Sequence, residues 1–440
     1  MNVGDRIQVT ITGISHQGYG IGRYENFVVF IPGAMLEEQV EGEIIECKKR
    51  MATARLVKII EPVAQRIEPR CVQSSRCGGC ELQHCNYAYQ LEAKRRIVQD
   101  ALTRLGQVEV TVEPTLGMEN PWRYRNKGIF HVDYSDGTVR LGFYEYGSHQ
   151  FVPAAACQLF SETVNGLVAF LEAQIQNSGK AYYIQKVMIR ESRCNGDLMV
   201  ALVTKDSAWR LPQFAEQLLQ YPHVVSVYHN INTNEKVMLG RTFRLLAGQS
   251  TIEDTIGMLH FQISPQSFFQ INNGQAEMLY QKALEFAQLT GKEQVADVYC
   301  GIGTISLFLA QQAGQVIGIE SVAQAVQDAK ENAKTNNITN CKFIAEKAEN
   351  WLPKWVQKGN QLDVAVVDPP RKGCETSVLD ALINSGVQRI VYVSCNPSTL
   401  ARDVKYLGQY GYQVLKVQPV DLFCQSWHVE SIVLLTKMPN

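Results

Sequence analysis

From about residue 266 to the end of the chain, apolar runs alternate with helical stretches, and several of those runs end in a reactive side chain. A helix is expected over Gln275–Gln288, with strands at Gln294–Val298, Gln315–Ile319, Val364–Val367, Ile390–Val393 and Gln413–Val417. This is the rhythm of a doubly wound α/β sheet. In such a sheet ligands sit outside the carboxyl ends of the strands, so the residues that close each run are the first candidates for chemistry.

The first run passes into Asp297-Val298-Tyr299-Cys300-Gly301-Ile302-Gly303-Thr304, with a helix expected from Ile305 to Gln312. Two glycines at a strand end let the backbone pass close to a ligand. A lone Gly-x-Gly is weak, but Glu320 closes the next strand about 20 positions on, where a ribose hydroxyl pair would be held. The dinucleotide fingerprint needs a third glycine and Ser306 stands in its place, which favours S-adenosylmethionine over NAD. The next motif is Val366-Val367-Asp368-Pro369-Pro370-Arg371. Amino-methyltransferases hold an exocyclic amine with a related motif that ends in an aromatic residue, and Arg371 in that place argues against an amine target. Taken alone, Asp-Pro is also ordinary turn chemistry.

The fifth run ends in Ser394-Cys395-Asn396-Pro397, which aims a thiol at the same crevice. A thiol is wanted where carbon 5 of uracil must be made nucleophilic. A thiolate adds to carbon 6, carbon 5 becomes enolate-like and takes a methyl group, and a base must then remove its proton. His428-Val429-Glu430, followed by a strand over Ser431–Leu435, supplies that base from another segment. A lone Cys395 would be read as structural; Cys395 together with Asp368 and Glu430 is not.

The chain of 440 residues is too long for one ordinary domain. With 45% hydrophobic and 19% charged residues it can build real cores. Residues 1–60 read as short strands: Ile7–Ile14, Phe27–Ile31, Glu43–Cys47 and Ala54–Ile60, with Gly18-Tyr19-Gly20, Pro32-Gly33 and a basic Lys48-Lys49-Arg50 as turns. The pattern fits a small OB-type β-barrel, a common single-stranded nucleic-acid platform, and a generic barrel equally. Residues 61–265 form a mixed α+β stretch. It carries a charged helix from about Tyr89 to Leu105 and strands at Gly128–Val132, Val187–Arg190 and Leu198–Val203. Pro121–Lys127 interleaves aromatic and basic residues, as an RNA-facing segment or a solvated edge would. Residues 266–440 form the third unit. The net charge of -1 neither supports nor excludes RNA binding. No stretch reaches the roughly 18 apolar residues of a membrane span and the amino terminus is no signal peptide, so a cytoplasmic protein is expected.

Twelve cysteines in a reducing compartment point to ligands and nucleophiles rather than disulfides. Cys194 and Cys341 read as structural. Cys71-x5-Cys77-Gly78-Gly79-Cys80 groups three thiols, and its spacing fits either an iron–sulfur cluster or a zinc site completed by one more cysteine. The spacing of radical enzymes is absent.

With the cysteine cluster, Ser267-Phe268-Phe269-Gln270, Asp297–Gly303, Asp368–Gly373, Ser394–Pro397 and His428–Glu430 on one chain, the sequence resembles the RNA 5-methyluridine methyltransferase family. The likeness is to the bacterial 23S ribosomal RNA branch with an N-terminal TRAM domain, and it covers essentially the whole chain. The resemblance implies that the barrel is the TRAM domain and that residues 266–440 are a Rossmann-like methyltransferase domain. It implies a 4Fe-4S cluster held by Cys71, Cys77, Cys80 and Cys157. It places Gln270, Tyr299, Glu320 and Asp368 around S-adenosyl-L-methionine, with Thr304 nearby where some relatives carry Asn. Cys395 would be the nucleophile and Glu430 the base. Cys424 stands where proline is usual, and Cys85 has no counterpart. The expected partner is 23S rRNA, with no DNA or membrane partner and a monomeric enzyme. The alternatives are the T-loop of tRNA, against which the TRAM domain weighs because the bacterial tRNA branch lacks one, and a non-catalytic RNA-binding assembly factor.

Overall fold

The computed structural model describes residues 1–15, 17–179, 181–205 and 212–438. Strands β1 (Arg6–Ile14), β2 (Gly20–Tyr24), β3 (Phe27–Ile31), β4 (Gln39–Cys47) and β5 (Met51–Glu61) close into a barrel in the order β1-β2-β3-β5-β4. β3 and β5 run parallel and the other pairs antiparallel. Alternation directs Ile7, Val9 and Ile11 of β1 inward against Val29, Ile31, Val40 and Ile44, and closure removes the exposed edges that short strands would otherwise present. The expected small barrel is what forms.

Helix α1 (Tyr87–Ala101) starts at Asn86, whose side chain accepts the Tyr89 amide, and ends in a π-turn over Leu102–Gly106. Its apolar face leaves the barrel: Val98, Ala101 and Leu102 pack with Leu400, Ala401 and Val404 of the C-terminal unit.

The middle sheet contains β6 (Lys127–Asp133), β7 (Arg140–Tyr144), β8 (Phe151–Pro153), β9 (Ile184–Glu191), β10 (Leu198–Thr204), β11 (Val224–Ile231) and β12 (Thr242–Gly248), in the order β12-β11-β10-β9-β6-β7-β8. Helices α2 (Glu162–Asn177) and α3 (Pro212–Leu218) cover one face through Leu167, Leu171 and Phe214. Pro121–Asn126 is a loop leading into β6, and much of it turns inward. Tyr124 and Asn126 are buried, and the Tyr124 hydroxyl donates to the Cys424 carbonyl at 2.9 Å. The segment is a tether between units more than a solvated edge.

A hairpin, β13 (Ile252–Ile256) and β14 (Leu259–Ile263), leads to α4 (Asn273–Ala287) and the C-terminal sheet. There follow β15 (Gln294–Val298), α5 (Thr304–Ala310), β16 (Gln315–Glu320), α6 (Ala323–Thr335), β17 (Cys341–Ala345), α7 (Ala348–Gln357), β18 (Val364–Val367), α8 (Thr376–Asn384), β19 (Arg389–Ser394), α9 (Pro397–Gly408), β20 (Tyr412–Val420) and β21 (Glu430–Lys437). The strand order is β17-β16-β15-β18-β19-β21-β20, with the order reversing at β15. β15 to β19 are parallel, whereas β21 is antiparallel to both neighbours. That reversal brings the start of β21 beside the carboxyl end of β19. No helix among the described residues is long and apolar enough to cross a membrane.

Candidate active site

The ladder sets the site. Val298 is level with Ile319 and Val367, and Val367 with Tyr392, so Tyr299, Glu320 and Asp368 lie side by side just past the strand ends. Beyond β15 the chain turns through left-handed conformations at Tyr299 (φ 73°), Gly301 (φ 55°) and Gly303 (φ 83°). The glycines adopt these at little cost; Tyr299, which carries a Cβ, is strained there, and such strain clusters at functional sites. A Cβ on Gly301 would meet nothing within 4 Å, so the turn faces open space. The Gly301 amide donates to Glu320 Oε2 at 3.3 Å and the Val322 amide to Oε1 at 2.7 Å, which fixes the carboxylate at the rim. Beside Tyr299 and Ile319 lies a cavity of about 520 Å³ that reaches Lys347, Asn350 and Pro370. Room next to a fixed carboxylate and an open glycine turn fits an adenosine.

Ser306, the residue that breaks the dinucleotide pattern, supports the turn from below, where its hydroxyl donates to buried Asp297 at 2.5 Å. Burial pushes the Asp297 carboxyl up to about 7. Gln270 is buried, and its carbonyl accepts from the Asn126 side chain at 2.8 Å. Thr304 opens α5, with its hydroxyl turned inward to the buried Tyr280 hydroxyl at 3.3 Å. Phe268 is exposed while its neighbour Phe269 is buried.

Cys395 and Glu430 face each other by register. Ser394 pairs with Ser431 as the last rung between β19 and β21, and one step further sets Cys395 opposite Glu430. Glu430 is only 4% exposed. Desolvation, reinforced by the Asp368 carboxylate, pushes its carboxyl up to about 8, against the pull of Arg371. Desolvation, Glu430 and Asp368 push the half-buried Cys395 thiol up to about 12, again opposed by Arg371. Asp368 itself is raised to about 6 by desolvation. Three acids thus crowd one guanidinium, the like-charge arrangement that separates proton affinities. In the sequence, Arg371 stands out only by the aromatic residue it replaces; its charge matters once the strand ends are brought together. Its backbone carbonyl is held by the Asn396 side chain at 3.0 Å and the Thr399 hydroxyl at 3.3 Å. Asn396 also caps α9 by accepting the Ser398 amide at 3.0 Å, with Pro397 in the first turn. Cys395 therefore precedes a helix amino terminus, which favours a thiolate. His428 is exposed, its ring edge-on to Phe423.

The loop that carries Glu430 is clamped from behind. Lys94 of α1 forms a wholly buried ion pair with Asp421, and Tyr87 donates to the other Asp421 oxygen at 2.7 Å. Nothing in the sequence signals this pair, because a lysine within an expected charged helix gives no sign of burial.

Cys71, Cys77, Cys80 and Cys157 converge from two segments. The Cys80 thiol, pushed up to about 12 mainly by burial, also feels Cys157, Cys77 and Cys71; Cys157 feels Cys77 and Cys71. All are free thiols. Among the described residues no three His, Cys, Asp or Glu side chains are close enough to hold a single metal ion. Cys85 is buried elsewhere, with Met35 and Leu82, and Cys424 packs beside Cys80 and Tyr124.

A parallel sheet reversing at β15, a glycine turn over open space and an acid closing the next strand define an S-adenosylmethionine-dependent methyltransferase. Residues 86–438 match the tRNA (uracil-5-)-methyltransferase family model and residues 1–57 match the TRAM domain, so the chain belongs to that family of RNA uracil-5 methyltransferases. Cys71, Cys77 and Cys80 fall between the two matched stretches. An RNA methyltransferase of Clostridium tetani is 45% identical over 97% of this chain and 95% of its own length. One of Listeria innocua is 42% identical over 98% and 97%. The crystal structure of a Pyrococcus abyssi tRNA (uracil-54, C5)-methyltransferase with S-adenosyl-L-homocysteine superposes with a TM-score of 0.79. It is 26% identical, and the match covers 98% of this chain and 100% of that one.

Proposed function

We propose that this chain methylates carbon 5 of a uridine in 23S ribosomal RNA, with Cys395 as the nucleophile and Glu430 as the base. The observation that carries the reading is the register that sets Cys395 opposite Glu430, beside Asp368 and two strands from the cofactor turn. Gln270, Tyr299, Glu320 and Asp368 would hold S-adenosylmethionine, with Thr304 near it. When bound, S-adenosylmethionine supplies an electrophilic methyl group on a positively charged sulfur. In the resting site both the thiol and Glu430 favour their protonated forms, so a nearby positive charge and Arg371 both help Cys395 to ionise. Cys395 gives up its proton to water, its thiolate sulfur bonds to carbon 6 and the ring electrons pass to carbon 5, which takes the methyl group as the bond to the positively charged sulfur breaks. Glu430, once it has lost its own proton to solvent, removes the carbon 5 proton as a carboxylate, the 5,6 double bond re-forms, and Cys395 leaves as thiolate.

Transfer of labelled methyl groups to 23S rRNA and to tRNA transcripts tests the substrate. Label is expected in 23S rRNA and none with Cys395→Ala; label confined to tRNA would overturn the ribosomal assignment. The second reading, the T-loop of tRNA, is supported by the Pyrococcus abyssi tRNA enzyme, whose likeness extends over nearly all of this chain, the barrel included. The cysteine set is read as the shell of a 4Fe-4S cluster, supported by the mutual influence of four free thiols from two segments. Anaerobically prepared protein should be brown with about four irons, and Cys157→Ser should lose iron and solubility together. Stoichiometric zinc in place of iron would contradict this.

A further inference from the structure

The loop from Asp421 to Val429, which ends in Glu430, is gripped by the barrel and by the cysteine segment. Gly18, in the turn between β1 and β2, lies flat on the Trp427 indole: a Cβ there would fall 1.9 Å from the ring. Gly18 is left-handed (φ 78°), so no other residue fits this approach without strain. The indole also packs against Met35 of the barrel and Leu82 and Cys85, in a cluster that Tyr89 of α1 joins. The backbone joins in. The Leu82 amide donates to the Gln425 carbonyl at 3.0 Å, the Trp427 amide donates to the Glu81 carboxylate, and the Gln90 side chain bridges to Gln425 at 3.0 Å. Gln425 is itself left-handed (φ 68°), a conformation that such outside contacts must hold. Trp427 is thus the point where the barrel, α1 and the segment after Cys80 all meet the base-bearing loop, three residues from Glu430.

We infer that Trp427 is a positioning residue: seated on Gly18, it sets the aim of Glu430, so that removal of the carbon 5 proton depends on the docked barrel while addition of Cys395 and methyl transfer do not. Cys395 follows β19 and precedes the capped start of α9, whereas Trp427 packs on the barrel, α1 and the segment after Cys80, so the contacts around Trp427 bear on the loop that leads to Glu430 and not on the turn that carries Cys395. The inference rests on the proposed roles of Cys395 and Glu430. In the step concerned, a proton passes from carbon 5 to Glu430, the carbon 5–hydrogen electron pair forms the double bond, and the carbon 6–sulfur bond breaks toward Cys395.

The test compares wild-type, Trp427→Ala, Trp427→Phe, Gly18→Ala and Glu430→Gln full-length enzymes under single turnover. Three quantities are followed: entry of labelled methyl into the protein–RNA adduct, decay of that adduct to free methylated RNA, and RNA affinity by filter binding. Misplacing a general base without removing it should slow adduct decay by roughly 10- to 100-fold, less than the about 100- to 10,000-fold that complete loss of general-base assistance costs. Trp427→Ala and Gly18→Ala should therefore accumulate methylated adduct, with entry of label and RNA affinity near wild type, and Trp427→Phe should recover most of the decay rate. Adduct decay at the wild-type rate in both Trp427→Ala and Gly18→Ala would overturn the inference, as would equal losses in label entry and decay. If Glu430→Gln itself builds no adduct, the base assignment fails and the positioning role falls with it; if only the Trp427 and Gly18 variants build none, the base assignment stands and the positioning role alone is wrong.

Discussion

Cys395 and Glu430 should fail in different ways when replaced, because they act on different bonds. Cys395→Ala removes the nucleophile and should give neither product nor adduct. Glu430→Gln leaves addition and methyl transfer intact, so methylated RNA should stay joined to Cys395 through denaturing electrophoresis, with release slowed by about 100- to 10,000-fold. A 5-fluorouridine substrate should trap the wild-type enzyme alike, since fluorine cannot leave as a cation. Wild-type turnover by Glu430→Gln would show the base to be another group. The pH dependence carries a sign. Glu430 works as a carboxylate and is held up to about 8 by burial and Asp368, so adduct decay should quicken as pH rises through about 8 and then level off. Folding sees the same shift in reverse. The native state holds a proton that the unfolded chain releases near pH 4.5, so the Glu430 contribution is fully present below that pH and is lost as pH rises through about 8. Glu430→Gln should accordingly melt higher than wild type at pH 9. An adduct-decay rate flat between pH 6 and 9 would contradict the protonation assignment.

At the scale of elements, the buried Lys94–Asp421 pair joins α1 to the base loop, and breaking it leaves one charge unpaired in the core. Lys94→Met should cost roughly 3–5 kcal/mol in denaturant unfolding, and adding Asp421→Leu should return much of that loss. Additive losses in the double variant would show the two residues to be independent. How legible each element was follows from where its partners lie. β15 and β18 fall on the expected residues because strands buried on both faces are largely apolar runs, broken in β15 only by Gln294 at its start and the buried Asp297. The crevice residues were legible for the same reason, since a strand end marks where a side chain meets the ligand. β7, β8, β11 and the β13–β14 hairpin are short, mixed or half-exposed, so periodicity left them unassigned. Helix α1 begins earlier than expected because Asn86 caps it, and its far end becomes a π-turn. Burial of Tyr124 and Asn126 depends on contacts with Cys424 and Gln270, far along the chain, which a local pattern of aromatic and basic residues cannot reveal.

At the scale of the whole molecule, the barrel, the cysteine segment and the loop before the middle sheet all contact the loop that leads to Glu430. Glu430 is nearly inaccessible and Cys395 half-buried, while carbon 6 of a uridine stacked in a helix presents no face to an approaching thiolate. The target base must therefore leave its stack and enter the crevice, at a cost of a few kcal/mol that is least where the nucleotide is already unpaired. Single-stranded loops should be methylated well and the same uridine in full duplex poorly. The protein's net charge of -1 offers no general attraction to phosphate, so affinity must come from local contacts spread over its units. Each phosphate neutralised adds to the salt dependence, and binding should weaken steadily as salt rises. Removing residues 1–60 takes away the TRAM barrel but none of the strand-end residues around the cofactor. RNA affinity, followed by filter binding across a salt series, should fall and its salt slope flatten, while S-adenosylmethionine binding by calorimetry stays close to that of the full chain. Equal turnover on loop and duplex substrates would refute the unstacking argument. An unchanged salt slope in the truncated protein would show that the barrel carries no phosphate contact.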